Sequence, residues 1–231
     1  MQSPHIGRGI AIVLIIGILG WTALRSFGAR PPATPNKPFP KPAADAPLSS
    51  TKGQETVYLA GGCFWGVQAV FEHLKGVTSV TSGYSGGFVK SPAYETVSMG
   101  VTGHAESVSI TYDPSQISYG QLLMIYFSVA HDPTQLDRQG PDTGSQYRSA
   151  IFYSNQDQKR IADAYIAQLN SAKVYSRPIV TRVEPFKAFY PAEDYHQDFL
   201  KNHPDNPYIA INDMPKLTNL KQDFPDLFRN Y

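Results

Sequence analysis

Among 231 residues there is one cysteine, Cys63. A solitary thiol cannot close an intramolecular disulfide and offers no paired-cysteine metal spacing, so any redox chemistry must take its second thiol from another molecule. An excess of one charge is also missing. The 20 Lys and Arg residues nearly balance the 19 Asp and Glu residues, for a net charge of +1. These charges are spread along the chain rather than blocked, which leaves no electrostatic footprint for nucleic acid or for an anionic surface. The histidines lack ligand spacing, so no metal site is expected. A peptide or small-molecule substrate is the class that remains.

Long apolar runs are absent with one exception, Gly9 to Leu24, which carries no charge and is flanked by Arg8 and Arg25. It is shorter than the roughly 20 residues that comfortably span a bilayer, so a signal anchor competes with a cleaved signal peptide over residues 1–28, with Ser26 and Gly28 as small residues near a possible cut. The anchor is the preferred reading, with membrane contact through residues 9–24 and the remainder exported. That places the protein outside the cytoplasm, on the periplasmic side if the cell is bacterial. Secretion after cleavage is the alternative. Residues 29–54 hold Pro31, Pro32, Pro35, Pro38, Pro40, Pro42 and Pro47, a composition that forbids helix and predicts an extended, solvated spacer.

From residue 55 to 231 the pattern is that of one folded domain. Glu55 to Ala60 reads as a strand rich in β-branched and aromatic residues, ended by Gly61 and Gly62. Val67, Val70, Phe71 and Leu74 then recur at helical spacing, with Gly76 as the closing cap. Strands are expected at Val77 to Tyr84, Glu106 to Tyr112 and Ala150 to Tyr153. A helix capped by Ser118 precedes the last of these. The resulting β-α-β-β-α-β order predicts an α+β class with a ferredoxin-like split β-α-β core, both helices packing on one face of an antiparallel sheet. Ser154 should cap a further helix in which Ile161, Tyr165 and Leu169 recur. Another strand is expected at Pro178 to Val183. The tail from Pro191 has too few periodic apolar residues for its own domain and should wrap around the core.

The chemistry concentrates at Gly62-Cys63-Phe64-Trp65-Gly66. A lone cysteine is more often a small buried hydrophobe than a nucleophile, but this one falls at a strand-to-helix turn. There the first-turn N–H groups and the positive end of the helix favour the thiolate. Phe64 and Trp65 point about 100 degrees apart on the helix and cannot easily share one core, so at least one of them should line a pocket. His104, His131 and His196 raise the alternative of a thiol hydrolase, although no local signature of a histidine-activated thiol or an oxyanion hole is visible. His196 is read as structural. A binding module that has no need of the thiol is a third reading.

The chain from about Thr56 to His203 resembles the peptide-methionine (S)-S-oxide reductases, the MsrA family, whose nucleophile lies in this same Gly-Cys-Phe-Trp-Gly run. Further matches are Gly83-Tyr84-Ser85-Gly86-Gly87, Ser91-Pro92-Ala93-Tyr94, Gly103-His104-Ala105-Glu106, His131-Asp132-Pro133-Thr134-Gln135 and the stretch from Asp142 to Ser149. The resemblance implies that Cys63 is the nucleophile and Glu106 the acid that protonates the sulfoxide oxygen. It implies that Tyr94 and Tyr147 donate hydroxyl hydrogen bonds to that oxygen, that Phe64 and Trp65 cradle the methyl group on sulfur, and that Asp142 orients the substrate. A glutamate among aromatics can be kept protonated near neutrality by desolvation, which suits the acid role. The substrate would be oxidised methionine in proteins or free methionine sulfoxide. Many members carry a C-terminal cysteine that resolves the sulfenic acid, and here the tail has none. An external thiol is therefore expected, either a small thiol or a thioredoxin-like or glutaredoxin-like protein, with no bound cofactor and a monomeric enzyme.

Overall fold

A computed structural model describes residues 39–230. The membrane-targeting reading of residues 9–24 and the first part of the proline-rich stretch lie outside the described residues.

The chain runs through β1 (Glu55–Gly61), α1 (Phe64–Glu72), β2 (Val77–Ser85), α2 (Tyr94–Ser98), β3 (Ala105–Tyr112), α3 (Tyr119–Ile125), a short hairpin of β4 (Arg138–Gln139) and β5 (Asp142–Thr143), β6 (Ser149–Tyr153), α4 (Gln156–Ser171), β7 (Arg182–Pro185), β8 (Phe189–Pro191), α5 (Phe199–Asn202) and α6 (Met214–Asp223). The six-stranded sheet has the order β7-β6-β1-β3-β2-β8. Its four central strands, β6-β1-β3-β2, are mutually antiparallel and carry the split β-α-β arrangement that the pattern of elements predicts. The sheet is mixed because β7 adds parallel to β6, while β8 adds antiparallel to β2.

The core lies between this sheet and its helices. Val67, Val70, Phe71 and Leu74 of the α1 segment meet Leu122, Leu123 and Ile125 of α3 and Leu59, Val108 and Ile110 of the sheet, all of them buried. Small residues, Ala60, Ala105 and Ala150, with Phe152, cover the other face, and Tyr58 stacks there on Phe186 at 3.8 Å. On α4 the expected stripe Ile161, Tyr165 and Leu169 is buried as its spacing requires.

Several boundaries differ from the sequence expectation. Asn155, not Ser154, caps α4, because its carboxamide oxygen accepts from the Gln158 N–H at 2.9 Å. The strand expected at Pro178 to Val183 begins at Arg182, and β8 and the β4–β5 hairpin carry too few residues to leave a periodic signal. Helix α1 ends at Glu72 with His73 as its cap, and Gly76 makes the next turn instead. Ser118 caps α3 as expected and does so in a reciprocal box with Gln121.

The second half of the proline-rich stretch is a correction of another kind, since it is extended and partly exposed but docked on the fold rather than free. Asp45 accepts from the Gly120 N–H at 2.7 Å and from the Ser118 hydroxyl at 2.5 Å, so it reinforces the start of α3. Tyr165 donates to the Pro40 carbonyl at 2.5 Å, and Gln168 pairs with both Lys41 and Ala43. Proline denies this segment a helix, and side chains of α4 satisfy its backbone instead, while its own Asp45 carboxylate serves the start of α3.

The tail wraps the core as expected, with a helix of its own. After α5 it passes through a π-helical turn, Ile209–Asp213, into α6, which lies against α1. Leu220 is buried in the core, and Arg229 closes the path with hydrogen bonds to the carbonyls of Glu72, His73 and Val77.

Candidate active site

Cys63 occupies the N-cap position of α1, at the end of the buried strand β1. The turn between them depends on Gly62, whose φ is +86, and a Cβ there would lie 2.5 Å from the Gln139 side chain. Only glycine meets both conditions. The thiol lines a pocket of roughly 210 Å³ formed by Cys63, Phe64, Trp65, Tyr94, Glu106, Asp142, Tyr147 and Tyr208. The seven residues singled out from the sequence therefore all converge on one place, from α1, α2, β3, β5 and the turn after β5. Phe64 is buried and Trp65 half-buried, yet both contribute surface to the pocket. Tyr208 is the member that sequence reasoning missed.

Glu106, near the start of β3, is almost wholly buried, and burial raises its carboxyl to about 8. The Phe64 N–H, which donates to Glu106 Oε2 at 3.1 Å, pulls in the other direction and does not prevail. The nearby Asp142 carboxylate adds to the rise. Glu106 is thus a neutral acid at neutral pH, directly beside the first turn that carries Cys63.

The thiol itself departs from expectation. Burial pushes Cys63 well above the ordinary thiol range, and the charges of Glu106 and Asp213 push the same way. The Trp65 N–H does favour the thiolate, as a helix N-terminus should, but burial outweighs it. Helix position alone therefore does not activate this cysteine.

Supporting contacts come from the chain after β8, beginning with the Ala192-to-Gln197 segment, which resembles a family segment near the pocket. Glu193, just before a short 3-10 turn, accepts from the Tyr94 N–H at 2.9 Å and from the Tyr84 hydroxyl at 2.8 Å. Burial alone would raise this carboxyl, but these donors hold it below its usual range. Glu193 so fixes the start of α2 and the position of Tyr94. His196 Nδ1 accepts from Trp65 Nε1 at 3.1 Å, and its ring lies 5.0 Å from that of Phe64 and 4.4 Å from that of Tyr94. Burial lowers its basicity, so it stays neutral and acts as an acceptor. Trp65 is clamped on its other side by Phe199, stacked at 3.7 Å. Tyr208 donates to Asp142 Oδ2 in a short contact, and burial pushes the Asp142 carboxyl up while this bond opposes it.

Among the described residues no histidine lines the pocket beside Cys63, so none of them stands where it would activate the thiol. His104 is held between the Gly87 N–H and the Val89 carbonyl, and His131, lowered by burial to about 4, is bonded to the Tyr126 carbonyl. Among the described residues no three His, Cys, Asp or Glu side chains stand together as a metal set.

A single buried thiol facing a neutral acid, on a ferredoxin-like α+β scaffold, defines a thiol-based redox enzyme rather than a hydrolase. A family model described as peptide methionine sulfoxide reductase matches residues 55–227. The protein of Mesorhizobium japonicum called peptide methionine sulfoxide reductase MsrA 2 is 63% identical over 176 residues, covering 76% of this chain and 90% of its own length. A protein of Synechocystis with the same name is 52% identical over 193 residues, with 83% and 90% covered. Among solved structures, methionine sulfoxide reductase A of Corynebacterium diphtheriae is 35% identical with a TM-score of 0.59, covering 77% of this chain and 87% of that one. Reduced Mxr1 of Saccharomyces cerevisiae is 31% identical with a TM-score of 0.61, covering 70% and 94%. The chain belongs to the peptide methionine sulfoxide reductase family. It reduces methionine sulfoxide in a thiol-dependent reaction and thereby repairs oxidised proteins.

Proposed function

We propose that Cys63 is the nucleophile and Glu106 the proton donor of this reduction. The observation that carries the reading is the shared pocket in which the chain's one thiol meets a carboxyl raised to about 8. The sulfoxide oxygen is a poor leaving group until it is protonated. Glu106 donates a proton to that oxygen while Cys63 sulfur attacks the substrate sulfur, and the proton the thiol gives up restores the Glu106 carboxyl, so no net proton is consumed. The oxygen passes to Cys63, methionine departs reduced by two electrons, and Cys63 is left as a sulfenic acid oxidised by two. Tyr94 and Tyr147, both kept as phenols by burial, donate hydrogen bonds to the oxygen as its charge develops. Phe64 and Trp65 hold the methyl group, and Asp142, oriented by Tyr208, positions the substrate backbone or amine. Preference for the S epimer follows from the family resemblance.

An external thiol completes the cycle. Its attack on the sulfenic acid releases water and forms a mixed disulfide, and a second thiol frees Cys63 and leaves as disulfide. A thioredoxin-like or glutaredoxin-like protein or a small thiol serves this role, because the chain holds no second cysteine. The domain at 55–231 acts as a monomer on oxidised methionine in proteins or on free methionine sulfoxide, and does not bind nucleic acid. It is exported and anchored through residues 9–24, or secreted if residues 1–28 are cleaved, and residues 29–54 join the two parts. A C-terminal reporter active only in the cytoplasm would refute this topology.

The decisive experiment is Cys63→Ser assayed with both epimers of a methionine sulfoxide peptide and excess dithiol. Complete loss of turnover, with single-epimer conversion and a one-oxygen adduct on Cys63 in the parent when dithiol is withheld, is expected. Retained turnover in Cys63→Ser would sink the mechanism.

A further inference from the structure

The C-terminal tail brings two charged side chains to the first turn of α1 that the reaction above does not use. Asp213 ends the π-helical turn with its side chain fully buried, and its Oδ1 accepts from Lys216 Nζ at 3.0 Å, with Lys216 only 18% exposed. The other carboxylate oxygen, Oδ2, is buried without a hydrogen-bond partner. The pair rests against Gly66, three residues beyond Cys63. A Cβ on that glycine would lie 2.0 Å from Asp213 Oδ1 and 2.8 Å from Lys216 Nζ. Gly66 thus clears the seat, and a half-satisfied buried carboxylate occupies it. Such a group is costly to keep and calls for a reason.

We propose that the Asp213–Lys216 ion pair, buried against Gly66 in the first turn of α1, is a positioning device that sets the electrostatic surroundings of the Cys63 sulfur. The inference rests on the reading of Cys63 as nucleophile. It deepens that reading, because in a chain with one cysteine the same sulfur must attack the substrate and later leave from a mixed disulfide. Both steps favour an acidic thiol, the second because a more acidic thiol is a better leaving group. The two partners act on Cys63 with opposite sign, Asp213 raising it and Lys216 lowering it. With the pair intact the carboxylate's effect is the larger of the two, so Asp213 restrains the buried thiol and Lys216 tempers that restraint.

The other groups around Cys63 are accounted for. Glu106 from β3 titrates near 8 and is the one neighbour whose change overlaps the thiol. Asp142 from β5 is the second carboxylate. The hydroxyls of Tyr94, Tyr147 and Tyr208 are all pushed up by burial and stay protonated. His131, packed under Gly61, stays neutral.

The test is the pH dependence of Cys63 alkylation by iodoacetamide in the full chain, followed by protein mass and done in a Glu106→Gln background so that the overlapping carboxyl is silent. No substrate is present. Asp213→Asn is expected to lower the alkylation midpoint and Lys216→Met to raise it, each by on the order of one unit, about tenfold in rate at fixed pH. Lys216→Arg should return the midpoint to that of the parent. No movement in either variant, or movement in the same direction, overturns the proposal. If Asp213→Asn does not fold, the Lys216 variants decide it, since Lys216→Met must shift and Lys216→Arg must restore. Retained turnover in Cys63→Ser alongside these shifts would remove Cys63 as nucleophile and leave the ion pair's control of the thiol standing.

Discussion

Replacing Glu106 by Gln is expected to abolish most activity and at the same time to stabilise the fold, by an amount that depends on pH. Glutamine keeps the shape and can still accept from the Phe64 N–H, but it has no proton to give. Loss of a general acid costs about 100- to 10,000-fold in the chemical step. The stability change follows from the carboxyl's rise from 4.5 to about 8 on folding. Because the folded state holds the proton more tightly, the parent is most stable relative to the variant below pH 4.5. It loses that standing as pH rises, until the folded carboxyl has also ionised near 8. The gap in favour of Glu106→Gln should therefore be under about 1 kcal/mol at pH 5, about 3 at pH 7 and about 5 at pH 9. Urea denaturation at the three pH values gives the gap, and single-turnover formation of the Cys63 adduct gives the rate. A gap that is flat with pH would show that the carboxyl is not protonated in the folded protein. A rate within a factor of ten of the parent would show that the proton comes from elsewhere.

Gly62→Ala should cost about 1–3 kcal/mol in a denaturant titration, because φ is positive and the new Cβ meets Gln139. A cost under about 0.5 kcal/mol would mean that the turn relaxes freely. Asp45→Ala removes two hydrogen bonds at the start of α3 and should lower stability by about 1–2 kcal/mol in the same assay. No change would return that segment to the role of a solvated spacer. Tyr208→Phe should reduce kcat/KM by on the order of tenfold, one hydrogen bond to a charged partner, and unchanged steady-state kinetics would remove Tyr208 from the site.

Much of the fold was legible because the core elements carry their periodicity openly. Alternation in the second half of β3 and the i, i+4 stripe of α4 need no knowledge of partners, and Ile110, Tyr112, Ile161, Tyr165 and Leu169 are buried as their spacing marks. Strand β8 and the β4–β5 hairpin were not legible, since two or three residues are too few to show an alternation repeating. The docked segment at residues 39–50 was misread because proline specifies what a chain cannot form and says nothing of which surface will accept it.

What the sequence determined by itself is the inventory of chemistry. There is one thiol, at a strand-to-helix turn that glycine permits, with the acid, phenols and aromatics in ordered motifs, and without a second cysteine to finish the cycle. What only the tertiary structure decided is the state of those groups. The acid is neutral and the thiol is not activated by its helix, because burial is set by the whole fold and here outweighs the local N–H groups. Likewise Tyr208, Glu193 and the Asp213–Lys216 pair lie more than a hundred residues beyond Cys63 in the chain, and Tyr208, Asp213 and Lys216 reach the site through the wrapping of the C-terminal tail. Desolvation and long-range charge depend on distances in space, and these are not written in local spacing along the chain.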